Sequence, residues 1–269
     1  MKHIQSIILC AIICISSYSQ NTGTVTDPRD GKLYTTVQIG GRWIMSQNLA
    51  YRPEKGTFWA DTAFYPRDNK APYVLAKDPT FYKFKNGKAY FKFGYMSDNK
   101  TDVKPVQSTN TNFKQVGTLI FDSTKFWGKN LFDGYLVIDS ALFDRFGYLY
   151  DFETANASAI PGWHVPTSNE WKELLKSIGG NAKSQFTALM EGGTSGFNAV
   201  LCGWGNYIAD GLKSRGISES QGSFWSSSKT AHMATCLDLN GPPVLKPGAA
   251  RIGIIQIGTG LSVRLIKDN

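Results

Sequence analysis

The segment at residues 161–180, PGWHVPTSNEWKELLKSIGG, constrains the fold more tightly than any other part of the chain. Pro161 and Pro166 disfavour helical backbone in the residues before them, so the segment begins as an extended connector. Thr167 and Glu170 have the spacing of a capping box, which marks a helix start. The apolar stripe that follows consists of Trp171, Leu174, Leu175 and Ile178, and Gly179 supplies a C-terminal cap.

Short β-like runs lie on both sides of this helix. Residues 32–39 and 43–45 are joined by Gly40-Gly41 and preceded by the turn signal Asp30-Gly31, which predicts an N-terminal hairpin. Residues 146–159 predict a short helix. Further β-like runs follow at residues 197–202, 222–226, 233–239, 252–257 and 261–266. Two helices with several short strands and long loops predict an α+β fold.

Residues 51–135 are rich in aromatic and turn residues and show no helical period. Their clearest unit is FYKFKNGKAYFKF at residues 81–93, where Asn86-Gly87 joins two alternating runs and predicts a hairpin. One face of this hairpin is aromatic and the other largely basic, so the aromatic face is either buried or an exposed binding platform. We expect residues 51–135 to form a β-rich insertion within one domain spanning residues 20–269.

Residues 1–19 have the features of a secretory signal peptide. Lys2 gives a short basic region, residues 7–15 are apolar, and the small residues Ser17 and Ser19 precede the expected cleavage site. The apolar run is shorter than the stretch that spans about 30 Å of hydrocarbon, so it does not predict a permanent transmembrane helix.

A lipid anchor on Cys10 or Cys14 is the alternative to simple cleavage before Gln20, although both cysteines lie inside the apolar run. No later segment approaches about 18 consecutive apolar residues. The sequence therefore predicts an exported protein in the periplasm, at the outer-membrane surface or outside the cell, with peripheral outer-membrane association as one possibility.

The chain is basic, with 29 Lys and Arg against 21 Asp and Glu and a formal net charge of +8. A positive surplus favours anionic partners such as acidic glycans, lipopolysaccharide or nucleic acid. The basic residues are scattered, however, and they lack the clustered stripe that nucleic-acid binding requires. We therefore expect no nucleic-acid partner.

Cys202 and Cys236 are the two cysteines outside the apolar N-terminal run. An even pair in an oxidising compartment favours one disulfide, and both residues fall in β-like runs of the same region. The alternative is two buried thiols. We expect the disulfide, provided that the two Cα atoms approach within about 7 Å.

Five ordered motifs carry a resemblance to a known family. They are VTDPRDGKLYTTVQIGGRWIMSQNLAY, FGYLYDFETA, PGWHVPTSNEWKELL, GSFWSSS and LSVRLIKD, within residues 24–51 and 146–268. Together they resemble the Fibrobacter succinogenes major paralogous domain, and PGWHVPTSNEW is also similar to an element of formylglycine-generating-enzyme-like proteins. Both resemblances imply a C-type-lectin-like fold, in which two helices flank a small twisted, mainly antiparallel sheet with long loops.

What the resemblance implies for function is limited to exported envelope or surface proteins with binding or adhesion roles. No catalytic residue is carried over to this chain. At Leu265 the sequence departs from relatives, which often have a cysteine there, so any bridge from that position is absent.

The sequence contains no motif that predicts a metal-dependent function. A calcium-dependent lectin would bind the ion through about six to eight oxygens, and the nearest segment, Asn240-Gly241-Pro242-Pro243, lacks a carboxylate. A formylglycine-generating-enzyme-like oxidase would need two adjacent thiols for Cu(I), which is a low-weight alternative for Cys202 and Cys236. We expect no metal and no cofactor.

His164 is a potential acid or base near neutral pH, but no partner is identifiable from the sequence. We therefore expect His164 and His232 to be structural. Trp171 and Trp225 are expected in the core.

Aromatic residues near glycines in loop-like surroundings are the ligand-binding candidates: Trp59, Trp127, Trp204 and Tyr207. Exposed aromatic residues anchor interfaces, and we expect at least one of these four to line a groove.

The sequence thus predicts a non-enzymatic envelope or surface module that binds a glycan or an envelope protein through insertion loops. The alternative is a structural accessory subunit of an outer-membrane secretion or motility assembly.

Overall fold

The computed structural model describes residues 20–59, 74–85, 88–96, 106–108, 117–126, 131–139, 145–208, 211–214, 220–242 and 244–269. Its strands are β1 Thr22–Thr26, β2 Leu33–Ile39, β3 Arg42–Met45, β4 Phe58–Trp59, β5 Val74–Lys85, β6 Lys88–Met96, β7 Val106–Ser108, β8 Gly117–Phe126, β9 Leu131–Asp139, β10 Leu149–Tyr150, β11 Trp163–His164, β12 Gly205–Ile208, β13 Gly211–Ser214, β14 Gln221–Lys229, β15 Met233–Asn240, β16 Ala249–Gln256, β17 Thr259–Gly260 and β18 Ile266–Lys267. Its helices are α1 Phe152–Ala157, α2 Ser168–Ile178 and α3 Ala182–Leu189. The protein is therefore α+β, as predicted.

The predicted N-terminal hairpin is confirmed and belongs to a five-stranded antiparallel sheet ordered β1-β2-β3-β18-β11. Gly40 and Gly41 turn the chain between β2 and β3 with φ angles of 59° and 83°, where glycine is favoured. The strand β18 pairs with both β3 and β11. Segments that are far apart in sequence are thereby held in one sheet.

A second antiparallel sheet is ordered β14-β15-β16. It contains the predicted runs at residues 222–226, 233–239 and 252–257. The predicted run at 197–202 is not a strand, because its only bridge among the described strands and loops joins Ala199 to Met190.

The helix α2 begins and ends as predicted. The Thr167 hydroxyl accepts a hydrogen bond from the Glu170 backbone N–H at 3.2 Å, and the Glu170 carboxylate accepts one from the Thr167 N–H at 2.8 Å. Trp171 is fully buried, and Leu174 and Leu175 are buried beside it. These side chains pack on residues of β2 and of the β14-β15-β16 sheet, so α2 covers both sheets.

Two tryptophans link the two halves of the core, as expected for buried residues. The Trp171 indole N–H donates to the Trp225 carbonyl at 3.1 Å, and the Trp225 indole N–H donates to the Tyr150 carbonyl at 2.6 Å. Both rings have no exposed surface. Because a buried indole N–H without an acceptor is costly, these bonds fix how α2 lies against β14 and β10.

The first helix is shorter than predicted, and the described part of the chain contains a third helix that the sequence did not indicate. Residues 149–150 form β10, and α1 starts after Asp151, whose side chain accepts a bond from the Thr154 N–H. The additional helix α3 starts at Asn181, whose side chain caps it. Its sequence AKSQFTAL spans only about two turns and contains two large apolar residues, Phe186 and Leu189, so it carries little helical periodicity.

The predicted hairpin at residues 81–93 is confirmed by the pairing of β5 with β6, with Lys85 opposite Lys88. These strands belong to a five-stranded antiparallel sheet ordered β5-β6-β9-β8-β7. This sheet extends to Asp139, four residues past the predicted boundary at 135. That residues 51–135 form an insertion within a single domain stays a prediction.

The predicted disulfide between Cys202 and Cys236 is absent, since both residues remain buried thiols. Gly203 pairs with Gly222 at one edge of β14, whereas Cys236 lies opposite Trp225 across the other edge. Two strand spacings alone separate such positions by about 10 Å, beyond the roughly 7 Å that a disulfide spans. The two cysteines therefore lie too far apart to form a disulfide.

Arg264 is the one arginine with no exposed surface among the described residues. Its Nε donates to Asn48 Oδ1 at 2.6 Å, and its Nη1 donates to the carbonyls of Met45 and Phe197. Its Nη2 donates to the Asn198 carbonyl at 3.0 Å. The guanidinium therefore ties β3 and the following segment to the loop at 197–198.

We predict that Arg264→Met destabilises the protein by about 3–5 kcal/mol, because it leaves several buried hydrogen-bond acceptors without donors. Arg264→Lys should also be strongly destabilising, since an ammonium cannot reproduce the planar fork of donors. Urea unfolding measures both effects. The matched control is Arg251→Met at an exposed arginine, expected to change stability by less than about 0.5 kcal/mol. Equal stability losses at positions 264 and 251 would contradict the assignment.

Candidate functional site

The candidate site is a cleft that begins where α2 stops covering the N-terminal sheet. Thr35, Val37 and Ile39 alternate along β2 and therefore share one face. Val37 and Ile39 are buried in the core cluster that includes Trp171 of α2. Thr35, farther along the strand, is exposed. On this face of β2, the part at Val37 and Ile39 therefore packs against α2, and the part at Thr35 is polar and open to solvent.

The opposite wall is the loop at residues 190–200. Asn198 has a φ of 51°, and its side-chain oxygen accepts a hydrogen bond from the Gly192 N–H at 3.1 Å. Gly196 has a φ of 68°, and a Cβ placed there would lie 2.9 Å from Cγ2 of Val37. A glycine is therefore needed for the loop to approach the sheet this closely.

Two adjoining hollows of about 510 and 490 Å³ make up the space, which we call the polar cleft. Both are lined by Thr35, Ser46 and Asn198. The first hollow is also lined by Gln47, Arg145, Glu191, Val200 and Arg264. The second is also lined by Gln20, Thr22, Gly23, Thr24, Thr36, Val37 and Gly196.

Hydroxyl and amide groups dominate the lining. The hydroxyls of Thr35 and Ser46 lie 2.7 Å apart, and the Gln47 side-chain oxygen accepts a bond from the Thr35 N–H at 2.8 Å. The side chains are thus oriented by one another before any ligand binds. The described lining provides hydroxyl, amide, guanidinium and carboxylate groups, and it includes no histidine or cysteine.

Two arginines and one glutamate supply the charge of the polar cleft. Nη2 of Arg145 lies 3.0 Å from Oε2 of Glu191, and both side chains are about half exposed. Burial lowers the pKa of Arg264 to about 9, a value at which the guanidinium is still protonated at neutral pH.

Of the four aromatic residues predicted to bind ligand, the structure describes the side chain of Trp204 alone, and Trp204 is not among the described residues that line the polar cleft. Trp204 is partly buried and packs against the core cluster that contains Trp225. The backbones of Trp59 and Tyr207 lie in β4 and β12, where they pair with Leu149 and Leu212. Trp127 lies outside the described residues.

His164 lies in a chain of charged groups at the start of α2. Its Nδ1 is 2.6 Å from Oδ1 of Asp268, and its Nε2 is 3.1 Å from the Glu170 carboxylate. Arg42 also contacts Glu170, at 2.6 Å. These contacts join β11, the segment after β18, α2 and β3, which is a structural role.

A small cavity of about 40 Å³ lies beside this chain and is lined by Arg42 and Glu170 among others. Nε of Arg42 is buried without a hydrogen-bond acceptor among the described residues. A volume of this size holds a water molecule or two. It is too small for a larger ligand.

The two thiols lie outside the polar cleft. The Cys236 thiol contacts Asp238 Oδ1 at 3.3 Å. Burial, reinforced by Asp238, raises the pKa of the Cys236 thiol above its usual range, which disfavours the reactive thiolate. Cys202 lies instead against Asn48 and the Phe146 carbonyl.

Within the described residues, no three His, Cys, Asp or Glu side chains cluster closely enough to bind a metal ion. None of the described helices has the length and apolar character needed to cross a membrane.

The aromatic candidates do not point to the polar cleft, because its described lining consists mainly of threonine, serine and amide side chains. A usable signal is TGTVT at residues 22–26, where three threonines alternate with Gly23 and Val25, so that one face of the strand carries only hydroxyl side chains. The approach of the loop at 190–200 depends on tertiary packing, so no local pattern indicates it.

The family model of the Fibrobacter succinogenes major domain matches residues 37–267. The matched range contains Ser46, Gln47, Asn198 and Arg264 of the polar cleft, and it begins two residues after Thr35. No curated protein and no solved structure matches the chain.

We predict that acidification destabilises the protein, because protonation of Glu170 removes part of its stabilising effect. Burial opposes its ionisation, but the Thr167 N–H, His164 and the Thr167 hydroxyl lower the pKa of Glu170 below its usual 4.5. A lowered folded-state pKa contributes stability above the unfolded-state pKa, and this stability is lost as pH falls through the folded-state pKa.

Glu170→Gln should therefore cost about 1–2 kcal/mol at pH 7, and the difference from wild type should shrink below about pH 4. Thermal unfolding at several pH values measures this. Glu173→Gln, an exposed position on the same helix, serves as the control. A difference that does not vary with pH would refute the assignment.

Proposed function

The chain belongs to the Fibrobacter succinogenes major domain family, and from this premise we propose that it is an exported, non-enzymatic binding module of the cell envelope or surface that recognises a glycan. The observation that carries the proposal is the polar cleft. Its lining consists mainly of hydroxyl, amide and backbone groups, with charges at one end.

Sugars present many hydroxyl groups, each of which donates and accepts hydrogen bonds. Threonine and serine hydroxyls and the side-chain amides of Gln47 and Asn198 offer the complementary donors and acceptors. Binding sites use a small number of placed polar groups to fix ligand orientation. The mutual contacts of Thr35, Ser46 and Gln47 supply that placement.

This proposal moves the binding site away from the insertion loops. The described lining comes from residues 20–47, Arg145, the loop at 190–200 and Arg264, and none of it from residues 51–135. In this proposal Trp204 has a packing role, and Trp59, Trp127 and Tyr207 are candidates for a second contact surface.

A C-type-lectin-like arrangement is part of the proposal. The α+β composition, the antiparallel sheet that joins β1–β3 to β18, and the capped helix α2 support it. The long segments between these elements provide the positions where loops vary.

We also propose export through the signal peptide at residues 1–19, with lipid attachment at Cys10 or Cys14 as the alternative to simple cleavage. Gln20 lies beside the polar cleft and donates a hydrogen bond to the Thr194 carbonyl. A chain starting at Gln20 would thus retain every residue of the cleft. In this proposal the partner is an envelope glycan, and the module associates peripherally with the outer membrane.

The test is a glycan array on the purified protein, followed by calorimetry on the best ligand. Thr35→Val combined with Ser46→Ala should weaken binding at least about tenfold, because each removed hydrogen bond is worth about 1 kcal/mol or somewhat less. Thr26→Val, an exposed threonine of β1 outside the cleft lining, is the matched control. Saturable binding that the double variant leaves unchanged would remove the cleft from the proposal.

A second candidate function, a structural subunit of an envelope assembly, is favoured by the edge of the β14-β15-β16 sheet. β16 is the outer strand, and no described strand pairs with its free side. Ile254 on this strand is 70% exposed, and the exposed Met233 lies on neighbouring β15. An exposed apolar edge strand favours pairing with another chain.

If β16 docks a membrane partner, Ile254→Lys should abolish its stoichiometric co-purification from the native envelope, because a charge at an apolar contact is desolvated without a partner. Leu33→Lys, at another exposed apolar side chain on β2, should leave the complex intact. Loss of the partner with both variants, or with neither, would exclude the β16 edge as the docking site.

A further inference from the structure

The charge distribution of the polar cleft narrows the class of glycan, an inference that rests on the proposed function. The buried guanidinium of Arg264 lines the cleft, yet its described acceptors are the Asn48 side-chain oxygen and three backbone carbonyls. All four acceptors are neutral. No ion pair among the described residues includes Arg264, so its positive charge is solvated by dipoles and is not cancelled.

Phe197 and Phe224 flank the same guanidinium, at 4.6 and 5.5 Å from its central carbon to the ring centroids. The aromatic walls exclude water from that side. A positive charge in such surroundings is screened less than one at an open surface. Its field therefore extends into the hollow that it lines.

The rim adds a second cation that is positioned to contact a ligand. Arg145 is 48% exposed and Glu191 is 60% exposed, with Nη2 of Arg145 between 3.0 and 3.3 Å from the two carboxylate oxygens. An exposed ion pair of this kind contributes little stability. A second carboxylate can therefore replace Glu191 on Arg145 at small cost, and a guanidinium suits the planar geometry of a carboxylate.

Among the described residues, the hollow is lined by two arginines and one glutamate, beside hydroxyl and amide groups that match a sugar. We propose that the polar cleft binds an anionic glycan, with a carboxylate or sulfate group of one sugar unit paired with Arg145 and its hydroxyls bonded to Thr35, Ser46 and Gln47. Arg264 holds the wall in place and attracts the anion without contacting it.

An acidic peptide would satisfy Arg145 equally well, but a sugar unit presents several hydroxyl groups to Thr22, Thr24 and Thr35, whereas a peptide unit presents one N–H and one C=O. The hydroxyl-rich lining therefore favours a sugar over a peptide. This choice is tested directly, because the two classes of ligand differ in their response to changes at Thr35 and Ser46.

The experiment is calorimetry on the purified full-length protein with short oligogalacturonates, their methyl esters, a sulfated dextran oligomer and the matching neutral dextran. Short oligomers limit the non-specific attraction expected for a chain of net charge +8. We expect the charged oligomers to bind more tightly than their neutral counterparts by at least about tenfold, the usual effect of one charge-assisted hydrogen bond.

Three variants locate the effect. Arg145→Gln should reduce the affinity for the charged oligomer about tenfold, to the level of the neutral form. Glu191→Gln should increase it by about twofold to fivefold, because the ligand no longer competes with a resident carboxylate. Arg251→Gln removes the same charge from an exposed arginine outside the cleft and should change the affinity less than about twofold.

The outcomes separate the two proposals. Equal affinity for charged and neutral oligomers, with loss in the Thr35→Val, Ser46→Ala variant, would overturn the anionic preference while leaving glycan binding intact. Equal losses from Arg145→Gln and Arg251→Gln would also overturn it, since they indicate diffuse attraction. Binding of a poly-glutamate peptide through Arg145, with no glycan bound, would overturn both the anionic-glycan proposal and the proposed function.

Discussion

The burial of Arg264 is the constraint on which the rest of the structure depends. A guanidinium without solvent contact must find hydrogen-bond acceptors in the protein, because an unsolvated charge is too costly to bury alone. Here the acceptors come from the chain near β3 and from the loop at 197–198, which are far apart in sequence. The arginine therefore specifies a contact that apolar packing alone would leave free to slide. Burial shifts its pKa downward, but not far enough to discharge it at neutral pH.

The polar cleft follows from that contact. The loop at 190–200 is held at one end by Arg264 and approaches the sheet at Gly196, where a side chain would collide with Val37. Beside these two adjacent contacts, threonines of β1 and β2 line the part of the sheet that α2 leaves uncovered. The proposed binding surface thus lies where the packing of the core ends, and the hydrogen bonds of Arg264 anchor one of its walls in the core.

The elements with local signals were predictable from the sequence. The capping box at Thr167 and Glu170, the Gly40-Gly41 turn and the Asn86-Gly87 hairpin each depend on a few adjacent residues, and each was correctly placed. The predictions that were wrong concern features that depend on residues far apart in sequence. A disulfide between Cys202 and Cys236 requires knowing which edges of β14 they occupy, and the start of α1 was displaced because residues 149–150 pair with β4. The contribution of the loop at 190–200 to the cleft could not be predicted, since Thr35 and Asn198 come to line the same space only through tertiary packing.

The division between core and cleft also bears on how such a module acquires a ligand. The side chains that hold the fold, such as Arg264, Trp171 and Trp225, are fully buried and bonded to backbone carbonyls, so most changes there lower stability. The side chains that face the cleft, such as Thr35 and Glu191, are exposed, and changes at exposed positions seldom alter stability. Selection can therefore alter the charge and hydroxyl pattern of the cleft while the buried arginine keeps its walls in place. In the proposed binding module, Arg264 therefore contributes to both the fold and the charge of the cleft, whereas Thr35 and Glu191 can change with little effect on the fold.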